Sequence, residues 1–345
     1  MNTREKLYEL DYMRFIACFA VMIVHITATG VEGYIRGSFP HIVTLIVNRS
    51  FKFTTPIFIF LSGVTSFYSY RNREFKYFDF LKKRLSNVLV AYLVWCVIYY
   101  LTYIKLGYHA YFDMKFFIEN IFNGKMSYHL YFVIIIAQMY IFGPIFYKLL
   151  KNSDKKILIL IIAAIFTALC AEYIRFKDSD RLFLKYIFFY MLGIYLTLEY
   201  EKFTSFLMKN KWVLIAGYVA IGLAYTVVSY MDMKIYIYVW FTFSLISIFF
   251  VYILGLMMKD AFEKYYGFIK LFGQSSYYIY LMHPLVLTLA IRYTDMNGIL
   301  SITQRLIIYS VTVIPVTVIC CLAFTMAKNY YKKKRKEATA VTSGN

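Results

Sequence analysis

Charge is what this 345-residue chain has least of. Only 17% of it is Asp, Glu, Lys or Arg, against 61% hydrophobic residues. Average soluble domains carry about 25% charged and 45–50% apolar residues. With a mean hydropathy of +0.59, the chain is neither an ordinary soluble domain nor a disordered one. Cysteine is scarce as well. Cys18, Cys96, Cys170, Cys320 and Cys321 all lie inside apolar runs and form no CxxC pair, which excludes a disulfide scaffold. No HExxH motif or His–Cys cluster points to a metal. No GxxxxGK[ST] or GxGxxG points to a phosphate loop or dinucleotide fold, and no GxSxG marks a nucleophile elbow. Internal repeats of fixed period and low-complexity tracts are also missing.

What is present is apolar sequence in long runs. A spanning helix needs about 20 mostly apolar residues. Such runs fall near 12–30, 45–70, 85–104, 129–150, 156–172, 184–200, 211–230, 234–257, 271–293 and 303–328. The expected fold is therefore all-α: a polytopic transmembrane helical bundle of about ten spans. The second run is too long for one straight span, and an outer interfacial start is expected for it. One membrane domain over 1–330 and a basic, then polar, tail over 331–345 exhaust the chain, with the tail frayed at its end. A cleaved signal peptide at the first run is rejected, because Asp11, Arg14 and His25 lie along it.

The 38 basic residues outnumber the 19 acidic ones, but they alternate between loops rather than forming the single basic face a nucleic acid needs. With the N-terminus inside, the inner segments collect Arg4, Lys6, Arg71, Arg73, Lys76 and the Lys82–Arg84 run, with later Lys clusters and the Lys332–Lys336 stretch. That bias is the positive-inside pattern with both termini cytoplasmic. Lipid bilayer is the expected partner, with anionic lipid facing the basic loops; no nucleic-acid partner is expected.

Ionisable residues inside a membrane helix are costly and mark function by default. Asp11, Arg14, Cys18 and His25 fall on one stripe of the first span. Arg14 and His25 are 11 residues apart, roughly 1100° of helix and about 20° from whole turns. Asp11 is placed to pair with Arg14. A second set lies in Gly273-Gln274-Ser275-Ser276-Tyr277, followed by Tyr280, His283 and Pro284. Ser276, Tyr280 and His283 are spaced i, i+4, i+7 and share a face. Pro284 frees a carbonyl one turn back and should kink the helix. His129 opens the fourth span at the outer interface. Ser62-Gly63 after Pro56 and Gly143-Pro144 read as helix breaks. The run Lys82-Lys83-Arg84 precedes the third span, and a cationic cluster at a helix start can hold phosphate. Each set also has a plain structural reading: boundary charges, interhelical hydrogen bonds or topology charge.

In order along the chain, these residues resemble the acyltransferase 3 family of integral-membrane acyltransferases, many of which modify cell-surface polysaccharides. Leu10-Asp11-Tyr12-Met13-Arg14-Phe15-Ile16-Ala17 followed by His25 looks like its opening signature. Phe60-Leu61-Ser62-Gly63, Phe80 to Arg84 with Tyr92 and Trp95, His129-Leu130-Tyr131-Phe132, Phe189 to Gly193, and Gly273 to Pro284 resemble its later blocks. Asn87 stands where another basic residue is usual, Ala91 near a usual Pro, and Tyr131 where Trp is common. The resemblance implies transfer of an acyl group, often acetyl, from cytoplasmic acyl-CoA to a hydroxyl of an extracytoplasmic glycan or glycolipid, across a bacterial plasma membrane. It needs no cofactor beyond acyl-CoA as co-substrate, and a carbohydrate is its acceptor. His25, Asp11, Arg14, Ser276, Tyr280 and His283 are the catalytic candidates, with His25 as general base. Lys82, Lys83 and Arg84 are the donor-binding candidates, and His129 and Tyr131 lie on the acceptor side. The competing class is an exporter or flippase of polysaccharide or lipid-linked sugar, to which broken helices and a midplane polar cluster are also suited. Oligomeric state, acyl group and acceptor are not legible.

Overall fold

The computed structural model describes residues 7–71 and 74–342, with side chains through Thr339. Arg4, Lys6 and Arg73, three of the expected inner charges, lie outside the described residues. Within them the chain is helical, with no strand. Thirteen helices follow in order: α1 Glu9–Gly33, α2 Phe39–Ser50, α3 Thr54–Phe67, α4 Tyr77–Lys105, α5 Met114–Phe122, α6 Tyr131–Lys151, α7 Lys156–Tyr173, α8 Ile187–Leu198, α9 Tyr200–Lys209, α10 Lys211–Tyr230, α11 Tyr236–Ala261, α12 Tyr266–Met296 and α13 Ile302–Thr342. Every one of the ten expected runs is helical. Eight segments among the described residues are both long and apolar enough to cross a membrane. The other two expected spans fall short for different reasons. Phe183–Leu198 is apolar but short, and α12 is 31 residues long but interrupted by polar side chains.

Several boundaries differ from the expected ones. The run 45–70 splits into α2 and α3 around Phe51–Phe53. Pro56 then falls in the first turn of α3, where a missing N–H costs nothing, and α3 continues unbroken through Ser62-Gly63. α6 and α12 likewise continue through Pro144 and Pro284. α13 does not stop at 328; it remains helical to Thr342, so the basic stretch extends the last helix, and the expected frayed end at 343–345 lies outside the described residues. α5 and α9, 9 and 10 residues long, are too short to read as spans in the sequence.

The chain divides into two compact units. The first, 1–51 with 254–345, packs α1 against α2, α12 and α13, and α12 against α13. Its core joins Ile26, Val286, Leu287, Ala290, Tyr309 and Val313. Phe15, Phe19 and Phe272 stack between α1 and α12, with Phe19 on Phe272 at 5.4 Å.

The second, 52–253, is centred on the α3–α8 crossing, with α6 against α4 and α8, and α7 against α8. Glycines make that crossing possible. A Cβ on Gly63 would stand 2.3 Å from the Tyr190 carbonyl oxygen, and one on Gly193 would stand 2.2 Å from that of Phe60. The two backbones touch, as at the small-residue interfaces of membrane helices. Apolar stripes on α4 (Val90, Val94, Leu101) and α7 (Ile157, Ile161, Ile165) are exposed, as lipid-facing surfaces are.

Candidate active site

In the first unit the ionisable residues of α1 meet the polar face of α12. Asp11 is 8% exposed. One of its carboxylate oxygens accepts from Arg14 Nη1 at 2.7 Å, and the other accepts from the Tyr266 hydroxyl at 2.8 Å. Gly273 makes room for it: a Cβ there would stand 2.8 Å from Asp11 Oδ1. The carboxylate is thus clamped from both sides, and it fixes Arg14 on the stripe that leads to His25. Tyr266 is not among the residues the sequence singles out; its one signal is its place seven residues before Gly273, on the same face of α12.

Further along the same helices, His25 and His283 lie with ring centroids 5.2 Å apart. His283 is fully buried, and its Nδ1 is 2.9 Å from the Ile279 carbonyl oxygen. A carbonyl only accepts, so Nδ1 carries the proton and Nε2 is the basic nitrogen of the neutral ring. His25 is only half-buried. Tyr280 stacks on Tyr277 and places its ring 6.4 Å from that of His283. The structure thus brings together Asp11 with Arg14, and His25 with His283 and Tyr280. The Ser276 hydroxyl is instead turned back onto its own helix, donating to the Gly273 carbonyl at 2.8 Å. The Ser276 carbonyl receives a long contact from Cys18 Sγ at 3.9 Å. Among the described residues no group of three or more His, Cys, Asp or Glu could hold a metal ion.

In the second unit the basic run behaves differently from its reading. α4 begins at Tyr77, so Lys82, Lys83 and Arg84 lie more than a turn inside it, where the backbone N–H groups serve the helix itself. They form no helix-start phosphate site. Lys82 and Lys83 are exposed, while Arg84 is half-buried. Arg84 lies over the Phe80 and Tyr140 rings, 5.9 and 6.0 Å from their centroids, and donates to the Thr65 carbonyl.

His129 does not open to solvent. It is 3% exposed, its Nδ1 is 3.2 Å from Ser127 Oγ, and the Tyr99 and Tyr128 rings flank it. The Tyr131 hydroxyl meets that of Thr55 at 3.3 Å. Nearby, the α5–α6 connection is tied to the α7–α8 loop. Lys125 pairs with Asp178 at 2.5 Å, Arg181 with Asp178 at 2.7 Å, and Gln138 donates to the Arg181 carbonyl at 2.9 Å. The Lys125 ammonium on the Asp178 carboxylate holds it below the usual carboxylate range, with Arg181 adding to the effect.

The model of the acyltransferase domain matches residues 7–326. Among curated proteins, the chain is 26% identical over 309 residues to a probable poly-beta-1,6-N-acetyl-D-glucosamine export protein of Staphylococcus aureus, covering 83% of this chain and 84% of that one. A protein of the same description from Staphylococcus epidermidis is 25% identical over 340 residues, covering 94% and 92%. No solved structure matches. With the family model spanning residues 7–326, nearly its whole length, the chain belongs to the acyltransferase 3 family of membrane proteins.

Proposed function

We propose that the protein is an O-acyltransferase of a bacterial plasma membrane, moving an acyl group, acetyl in the first instance, from cytoplasmic acyl-CoA to a hydroxyl of an extracytoplasmic cell-surface glycan. The observation that carries this reading is the histidine pair on the stripe of a clamped arginine. His25 is the member a substrate can reach, so it is the general base, and the buried His283 orients it. In the transfer, the His25 imidazole takes the acceptor's hydroxyl proton as that oxygen bonds to the thioester carbonyl carbon. The tetrahedral intermediate then expels the CoA sulfur, which leaves as the thiol with the proton from His25. Arg14, held by Asp11, is the cation proposed to face the developing oxyanion or the donor phosphate. Lys82, Lys83 and Arg84 are proposed to hold the anionic end of the donor, Arg84 by its fixed guanidinium and the lysines as mobile charges. His129 and Tyr131 are proposed for the acceptor side. The positive-inside bias of the sequence supports cytoplasmic termini as part of this proposal.

The names of the relatives favour a second reading, export of a poly-N-acetylglucosamine chain. The two readings part in a simple assay. Purified protein in detergent, without any gradient, is mixed with acetyl-CoA labelled in the acetyl group and with a soluble β-1,6-linked N-acetylglucosamine oligomer. The enzyme reading predicts labelled oligomer, or labelled acetate from slow hydrolysis, in proportion to protein. An exporter that lacks transferase chemistry yields neither.

A further inference from the structure

The part of α13 beyond the apolar run carries a feature that the acyl-transfer reading does not use. A groove of about 500 Å³ is lined by Phe324, Ala327, Lys328, Tyr331, Lys332 and Arg335. At 100° per residue these six side chains fall within roughly 140° of the helix circumference. The stripe is graded. Phe324 and Ala327 end the apolar run, Tyr331 sits at the boundary, and Lys332 and Arg335 lie beyond it. Lys328 is fixed in place: its ammonium donates to the Tyr278 hydroxyl at 2.5 Å and lies 5.1 Å from that ring's centroid. Asn329 donates to the Gln274 side chain at 2.8 Å, which pins this stretch of α13 to α12. The one acid of the segment, Glu337, faces another way and takes Lys333 at 3.9 Å. Lys333 lies on the side of the helix opposite the groove.

We propose that this groove binds one anionic phospholipid, with the phosphodiester between Lys328, Lys332 and Arg335 and the start of an acyl chain against Phe324 and Ala327. Three observations support a lipid over a diffuse charge effect. The cations converge on one face, an aromatic side chain stands between them at the level where Tyr belongs in a bilayer, and the foot of the groove is apolar. A free nucleotide would satisfy the cations but not the foot.

The test uses full-length protein in lipid-depleted detergent, with phosphatidylglycerol added back and bound lipid counted by native mass spectrometry. Two triple variants remove the same charge: Lys328→Gln/Lys332→Gln/Arg335→Gln in the groove, and Lys333→Gln/Lys334→Gln/Lys336→Gln outside it. One Lys or Arg near an anionic surface is worth about fivefold in affinity. The groove variant should therefore bind phosphatidylglycerol roughly a hundredfold more weakly, and the outside variant within about threefold of wild type. Phosphatidylcholine should not compete, and neither should free CoA. Equal loss in both variants would show a diffuse basic surface and overturn the site. Displacement of the lipid by CoA would assign the groove to a soluble phosphate ligand instead. Elution of both variants as monodisperse protein establishes that either loss is not one of folding.

Discussion

His25 and His283 differ in burial, and the roles proposed for them follow that difference. A fully buried ring with Nδ1 committed to its own helix can orient a neighbour or relay a proton, but a substrate hydroxyl has no path to it. The half-buried ring is open to substrate. The same reasoning gives Asp11 a positioning role. Both of its oxygens are taken, so it holds Arg14 in place. Tyr266→Phe removes one of those two bonds. A hydrogen bond to a charged group contributes about 1.5–3 kcal/mol, so acyl transfer should fall at least tenfold while protein abundance and mass are unchanged. The loss should appear in kcat if Arg14 serves the oxyanion and in KM for acyl-CoA if it serves the donor. Gly273→Ala should do the same, since its methyl group displaces a carboxylate that cannot yield without losing Arg14 or Tyr266. Activity within twofold of wild type in both variants would remove Asp11 from the site's machinery.

Among the elements, α4 and the α7–α8 loop give the sharpest expectations. Because the Lys82–Arg84 run lies inside α4 rather than at its start, the three cations should no longer act alike. Arg84→Gln loses the contacts with Phe80, Tyr140 and the Thr65 carbonyl, and should weaken acyl-CoA binding in equilibrium dialysis by tenfold or more. Lys82→Gln with Lys83→Gln should cost only a few-fold and lower the salt sensitivity, since exposed charges are screened. Equal effects would return the run to a simple cationic surface. The α7–α8 loop should be acid-sensitive. Asp178 titrates lower in the folded protein than in the unfolded chain. Its contribution is therefore complete above the ordinary carboxylate pKa of about 4 and is lost as pH falls through the depressed folded value. Hydrogen exchange in 174–186 should accelerate at that acid limb, and Lys125→Gln should move its onset to higher pH. An unchanged onset would mean that Lys125 does not set it. These elements also show where sequence was readable. Ten apolar runs became helices because bilayer length and backbone satisfaction leave few alternatives. The start of α4 was not readable, since Tyr77–Phe80 is neither capped by a side chain nor apolar in a periodic way. The split at Phe51–Phe53 contains no Gly or Pro itself, and Pro56 in the first turn of α3 is the one nearby signal of a new helix start. The His25–Arg14 stripe was visible as an angle; the Asp11–Tyr266 bond, across 255 positions, was not.

On the scale of the molecule, the motifs fall on both compact units. Asp11, Arg14, Tyr266, His25 and His283 belong to one, and the Lys82–Arg84 run, His129 and Tyr131 to the other. The sequence order of the motifs was legible because each is a local pattern; the division into units was not, because the first unit is assembled from the two ends of the chain. Everything proposed for this site depends on acyl transfer with His25 as the base. The most direct test is a single-turnover assay on purified protein, with excess enzyme over labelled acetyl-CoA and with a saturating glycan oligomer. Removal of a general base costs 10²- to 10⁴-fold. His25→Ala should lower the rate of label transfer by at least a hundredfold while acyl-CoA still binds. Transfer by His25→Ala at a rate within a few-fold of wild type would contradict it.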